Sequence, residues 1–198
     1  NELIECRLSG VNVCDVQQFV ERESCKVDVD LLRPGWLAFA DGFVMRTRHR
    51  ILKRTFDLAA SAFILTLAWP IMLLTALAIR LESRGPVIYR QERVGMNGRP
   101  FELMKFRSMV HAPEDEHAAT WTRQNDPRVT RIGAFIRKTR LDELPQLFNV
   151  LRGDMSFVGP RPERPVFVAE LSEKIPFYEQ RHRVKPGITG WAQLCYPY

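Results

Sequence analysis

The sequence predicts a mixed α/β fold in three parts. Residues 1–46 read as the tail of an α/β (Rossmann-like) unit. Residues 47–84 read as a basic linker and a membrane helix broken at a proline into a re-entrant helix-break-helix. Residues 85–198 read as a small mixed α/β domain. Three observations carry this prediction. The roughly 22 residues from Leu58 to Ile79 hold no charge, and a helix that crosses a bilayer needs ~20. Asn97-Gly98 lies between two strand-like runs, a strong signal for a tight hairpin turn. In the stretch 136–151 an acidic pair, Asp142-Glu143, directly follows Arg137, Lys138 and Arg140, with apolar residues on both sides.

At 198 residues the chain has room for one good core and a small appendage. A formal net charge of +6 and a pI near 9.4 imply an anionic partner: nucleic acid, a phosphate-bearing substrate or a membrane surface. Nucleic acid is the weakest of these. The basic residues are dispersed, no aromatic-interleaved binding motif appears, and the apolar stretch has no use there. Cys6, Cys14, Cys25 and Cys195 show neither CxxC spacing nor zinc-like clustering, so they read as reduced thiols facing the cytosol. With no initial Met and an abrupt stop at Tyr198, the chain reads as part of something longer.

In the first part, Val11-Asn12-Val13 is strand-like, and Asp15 reads as the N-cap of a short helix over 16–20. The run 31–37, with Pro34-Gly35, breaks regular structure. This segment has too little apolar surface to stand alone and carries no nucleotide-binding glycine pattern.

Thr47 to Arg54 is strongly basic, and the apolar stretch follows at once. No polar face runs along it, which argues against a soluble core helix. Pro70 falls near its middle, where a proline removes a helix hydrogen bond and kinks the chain. Lys53 and Arg54 flank one end, Arg80 and Arg84 the other. Both basic ends prefer the cytoplasm. A helix broken at Trp69-Pro70 that enters and leaves through one leaflet satisfies the kink and the charges together; a simple span exports one basic end.

Gly85-Pro86 ends the second half-helix. Strands then run over 87–95 and 100–109 and place Arg90, Arg93, Lys105 and Arg107 on one hairpin. His111 to Asp126 is polar and acidic, a loop or lid. Its Glu114, Asp115 and Glu116 read as a solvated charge run rather than a metal site. Apolar Val129, Ile132, Phe135 and Ile136 predict a helix over 128–140. Asp142 then reads as the cap of a new helix, with Pro145 tolerated in its first turn and Gly153 at its end. That placement puts both carboxylates at a helix N-terminus, where backbone N–H groups also favour phosphate. Gly159-Pro160-Arg161-Pro162 and Glu163-Arg164-Pro165 form a stiff strap that can hold Arg161 and Arg164 in place. Phe167 to Arg183 predicts an amphipathic helical stretch interrupted at Pro176. The end, 185–193, is rich in turns, with Trp191 as a core anchor or a stacking surface.

Five ordered strings now carry a resemblance: Lys53-Arg54-Thr55-Phe56-Asp57; Lys105-Phe106-Arg107-Ser108-Met109; the run from Leu141 through Asp142-Glu143 to Val150; Gly153 to Pro162; and Lys185 to Gln193. Over about residues 50–198 the chain closely resembles the bacterial sugar transferases, the monotopic polyprenyl-phosphate phosphoglycosyl transferases that start exopolysaccharide assembly. The resemblance implies transfer of a sugar phosphate from a UDP-sugar to undecaprenyl phosphate at the cytoplasmic face of the bacterial inner membrane. It implies release of UMP, Mg²⁺ as cofactor, and a re-entrant helix kinked at Pro70. It makes Asp142 the nucleophile that forms a phosphosugar–enzyme intermediate, Glu143 a Mg²⁺ ligand beside Asp142, and Arg137 and Arg161 phosphate-binding residues. Lys105 and Arg107 are carried over more weakly, since either can pair with lipid headgroups instead. The resemblance also implies that residues 1–46 close an upstream domain and that the catalytic domain continues past Tyr198. A homo-oligomer stays an option. The rival reading is a membrane-anchored scaffold that recruits anionic lipids or partner proteins and is indifferent to Asp142.

Overall fold

A computed structural model describes residues 2–24, 35, 47–110 and 126–195. The run 31–37 and the acidic stretch 111–125 therefore lie outside the described residues, apart from Gly35. Two short helices come first, α1 (Glu2–Leu8) and α2 (Val16–Ser24). The predicted helix after Asp15 is α2. Val11-Asn12-Val13 is irregular rather than a strand. Among the described residues it finds no partner strand, and a strand without one leaves its backbone groups unpaired.

The dominant element is α3 (Thr47–Glu82), 36 residues long and therefore about 54 Å along its axis. It is long and apolar enough to cross a membrane. The predicted break at Trp69-Pro70 is not a break in helical conformation: Pro70 lies inside one continuous helix. Proline's fixed φ is compatible with a helix, so the loss is confined to one N–H and the local crowding. Asp57, Ser61, Thr75 and Ile79 are the buried residues of α3, and their spacing puts all four on one face. Phe63, Leu67, Trp69, Leu73, Leu74 and Leu77 stay exposed, an apolar surface that suits lipid and not water.

The hairpin forms as expected. Strands β1 (Ile88–Val94) and β2 (Pro100–Phe106) pair antiparallel, with Ile88 opposite Phe106 and Val94 opposite Pro100. Asn97 (φ 57°) and Gly98 (φ 74°) supply the positive φ values that such a turn requires. Arg99 N–H closes the turn on the Met96 carbonyl at 3.3 Å.

Helix α4 (Arg131–Lys138) starts later than predicted, because Val129 bridges Met109 and Thr130 takes the N-cap. Thr130 Oγ1 accepts the Gly133 N–H at 2.9 Å. Gly133 is required here: a Cβ would meet the Ser108 carbonyl oxygen at 1.9 Å. Ile136 is buried, whereas Phe135 is exposed. Helix α5 (Gln146–Arg152) ends at Gly153, φ 98°.

Strand β3 (Ser156–Val158) pairs parallel with β4 (Gly187–Thr189) through the connection that holds α6 (Pro165–Lys174) and a 3₁₀ turn over Tyr178–Arg183. Pro176 separates those two helical pieces, as the sequence predicts. The final stretch is more regular than its turn-rich sequence suggests, ending in α7 (Trp191–Cys195) with Trp191 exposed rather than anchoring a core. Cys6, Cys14 and Cys195 are free and exposed.

Among the described residues, two small cores hold these parts together. One joins α3, β2 and α4 through Ile79, Phe106 and Ile136, with Leu141 and Leu144 packed against it. The other joins β2, α5 and the β3 edge through Leu103, Val150 and Met155. Asn149 stitches β2 to α5. It is fully buried, its Oδ1 accepts the Met104 N–H at 3.0 Å, and its Nδ2 donates to the Glu102 carbonyl at 2.7 Å. The side chain thus stands in for a neighbouring strand along that edge of β2. Asn149→Ala leaves two buried backbone groups unpaired, and thermal or denaturant unfolding should show a loss of about 2–4 kcal/mol. A loss under about 0.5 kcal/mol would mean that the two groups find other partners.

Candidate active site

The acidic pair sits on a sharp reversal between α4 and α5. Helix α4 ends with Arg137 and Lys138 in its last turn, and Arg140 then adopts the left-handed conformation (φ 60°, ψ 15°). A non-glycine residue held there costs on the order of 1–3 kcal/mol, and such strain concentrates at functional sites. Leu141–Glu143 forms one 3₁₀ turn, and Pro145 leads into α5. Asp142 therefore lies inside the turn. It does not cap α5, a correction to the sequence reading. Pro145 occupies the N-cap position, because the reversal at Arg140 starts the helical conformation one turn early.

Asp142 is only 8 % exposed, and its Oδ1 has no hydrogen-bond partner among the described residues. Burial pushes its carboxyl above the usual carboxylate range. Lys105, Arg137 and Arg140 pull the other way, while the neighbouring Glu143 adds to the rise. The Glu143 carboxylate is itself held by two cations, Lys105 Nζ at 3.1 Å and Arg140 Nη1 at 3.6 Å. Arg137 Nε donates to Ser108 Oγ at 2.8 Å, which fixes the guanidinium beside the turn. The result is one bare, buried carboxylate oxygen surrounded by positive charge. Such an oxygen can act as a nucleophile or take a cation, and the surrounding charge suits a phosphate-bearing substrate.

The structure thus gathers Asp142, Glu143, Arg137 and Lys105 into one site. Arg107 goes elsewhere. Its buried Nη2 donates to the Ser83 carbonyl at 2.7 Å and Ser83 Oγ at 2.8 Å, and reaches the Ile79 carbonyl at 3.4 Å. It latches the end of α3. Arg161 enters a second ion cluster. It lies 3.9 Å from Glu163, which also pairs with Arg93 at 3.4 Å. Arg181 Nη2 donates to the Arg161 carbonyl at 2.9 Å. Arg164, the other strap arginine, lies over the Phe167 ring.

The bacterial sugar transferase family profile matches residues 48–198. The chain belongs to the bacterial sugar transferase family. One relative is the UDP-N-acetylgalactosamine-undecaprenyl-phosphate N-acetylgalactosaminephosphotransferase of Aeromonas hydrophila, 44 % identical over 99 % of this chain and 45 % of its own length. The UDP-glucose:undecaprenyl-phosphate glucose-1-phosphate transferase of Escherichia coli (strain K12) is 51 % identical over 74 % of this chain and 31 % of its own. The exopolysaccharide production protein PSS of Rhizobium leguminosarum bv. phaseoli is 46 % identical over 73 % of this chain and 74 % of its own. The chain spans less than half the length of the first two.

Sequence reasoning missed three contributors to this candidate site. Arg140 reads in sequence as one more member of a basic cluster, and its left-handed backbone has no signature in a non-glycine residue. Ser108 and Asn149 lie within quoted motifs, yet nothing in their spacing marks either as a partner of Arg137 or β2.

Proposed function

We propose that this chain carries the transferase site of a protein that moves a sugar phosphate from a UDP-sugar to undecaprenyl phosphate and releases UMP. The observation that supports it best is the bare Oδ1 of Asp142, buried and surrounded by Lys105, Arg137 and Arg140. In the first step an Asp142 carboxylate oxygen attacks the β-phosphorus of the UDP-sugar. The new O–P bond forms as the bond to the bridging oxygen breaks, and UMP leaves with that electron pair. In the second step an oxygen of undecaprenyl phosphate attacks the same phosphorus and restores the Asp142 carboxylate. Splitting the transfer in this way is ordinary covalent catalysis by a carboxylate.

The positive charge around the dyad offsets the repulsion between an attacking carboxylate and a diphosphate. Arg137 and Lys105 are positioned for this. Arg161 joins the reading as a phosphate ligand through the resemblance of its Gly159-Pro160-Arg161-Pro162 string, and a third of its side chain is exposed. Asp142 and Glu143 also fit Mg²⁺. One of them offers an orphaned carboxylate oxygen, and this ion is satisfied by one or two carboxylates plus substrate phosphates. When bound, Mg²⁺ neutralises diphosphate charge. The relatives are named for different sugars, N-acetylgalactosamine and glucose, so a donor panel should include both.

The test is UMP release by the full-length protein with undecaprenyl phosphate, Mg²⁺ and a panel of UDP-sugars. Release with one donor is expected, abolished by a chelator and in Asp142→Asn. Retained turnover in Asp142→Asn, or silence across the panel from folded protein, would contradict the reading.

The same reading has α3 bend at Pro70 without losing its helical conformation, so that it enters and leaves through the cytoplasmic leaflet of the inner membrane, with the catalytic domain in the cytoplasm. Contacts at both ends support it. Near one end, Asp57 Oδ1 accepts from Ser156 Oγ and the Phe157 N–H, both at 3.1 Å. Near the other, Ile79 packs on Phe106 and Ile136. Both ends of the apolar stretch therefore meet one small domain, whereas a full span separates them by the ~30 Å hydrocarbon core. Cysteines placed at residues 50 and 84 should both label from the cytoplasmic side. Labelling of one of them from outside would mean a span.

A further inference from the structure

The dyad turn is the middle of a helix–turn–helix unit whose outer ends are both capped by α3. At the far end of α5, Arg54 donates Nη1 to the Val150 carbonyl at 2.6 Å and Nη2 to the Leu151 carbonyl at 2.8 Å. These are carbonyls of the last helical turn, where partners within the helix run out and the dipole favours a cation. At the near end of α4, both carboxylate oxygens of Glu82 lie 3.2 Å from the Ile132 N–H. That donor belongs to the first turn, where the dipole favours an anion. Each charge therefore has the sign its helix end prefers. Asp142 and Glu143 sit between the inner ends of the same two helices.

We propose that Arg54 and Glu82 are positioning residues for the dyad: the membrane helix grips α4 and α5 by their outer ends and so sets how they meet at Asp142-Glu143. Because α3 stays helical without interruption between the two caps, it fixes their spacing. Neither residue touches the dyad in the described contacts; each acts through a helix. Arg54 is half-buried and makes two short bonds, whereas Glu82 is exposed, so Arg54 carries more of the effect. This inference rests on the dyad being the transferase site.

The test uses the full-length protein in lipid nanodiscs, comparing wild type with Arg54→Gln, Arg54→Lys and Glu82→Gln. Two readouts are needed: kcat and KM for the UDP-sugar, and amide hydrogen exchange along the chain. A displaced catalytic group can cost up to ~100-fold in rate, so Arg54→Gln should lose ~10–100-fold in kcat with KM within about twofold of wild type. Arg54→Lys should recover part of that loss, and Glu82→Gln should lose less. Exchange should quicken over 139–147 and stay at wild-type rates in the β1–β2 hairpin. Wild-type kcat and exchange in Arg54→Gln would overturn the proposal, and so would faster exchange spread equally over hairpin and turn. If the wild-type protein transfers no sugar phosphate, the transferase reading fails on its own, and the exchange pattern still decides whether the caps hold the turn.

Discussion

A carboxylate buried with one oxygen unbonded is costly, and the rest of this structure is arranged around keeping one there. Asp142 lies within a 3₁₀ turn that is braced on both sides. Arg140 is in the left-handed conformation on one side, and a fully buried Pro145 stiffens the other. Lys105 is fixed because its strand is stitched to α5 through Asn149, and Arg137 because Ser108 accepts its Nε–H. Counter-charge is therefore built into the framework. A preorganised set of charges stabilises a reacting anion without further reorganisation, which is the main advantage an enzyme has over water.

The membrane helix has two roles in this arrangement. Its apolar outer face offers lipid contact, and its buried stripe packs against the small domain. Arg107 and Asp57 show how deeply the two are joined. Arg107 buries its guanidinium to reach the carbonyls at the end of α3, and Asp57 receives the Ser156 hydroxyl and the Phe157 amide. Removing one partner from such buried, charge-assisted bonds leaves the other unsatisfied, so helix and domain behave as one unit. For a reaction whose proposed acceptor is carried in lipid, that union keeps the dyad near the membrane surface.

Much of this was legible in the sequence, for particular reasons. Asn97-Gly98 announces its hairpin because few residue pairs take positive φ twice. The uncharged run from Leu58 announces α3 because composition alone determines it. The dyad and its basic neighbours were legible as neighbours in sequence. What was not legible depends on long-range contact. Arg107 looks like any strand cation until the end of α3 is seen packed beside it. Asp142 looks like an N-cap, because caps are read from spacing, and spacing does not reveal the reversal at Arg140. The start of α4 moved because Val129 bridges Met109, a pairing with no local signature. Pro70 suggested a break, yet a helix with one missing bond remains a helix when its face is packed on both sides of the proline.

The claim on which the account turns is that Asp142 becomes covalently bound to phosphorus. The most direct measurement is peptide mass spectrometry of the full-length protein after brief incubation with its UDP-sugar and Mg²⁺, in the absence of undecaprenyl phosphate. The account predicts a sugar-phosphate mass added to the peptide that contains Asp142, absent from Asp142→Asn and discharged when the lipid phosphate is supplied. Wild-type protein that turns over with acceptor present, yet shows no adduct on that peptide or carries it on another residue, would contradict the account.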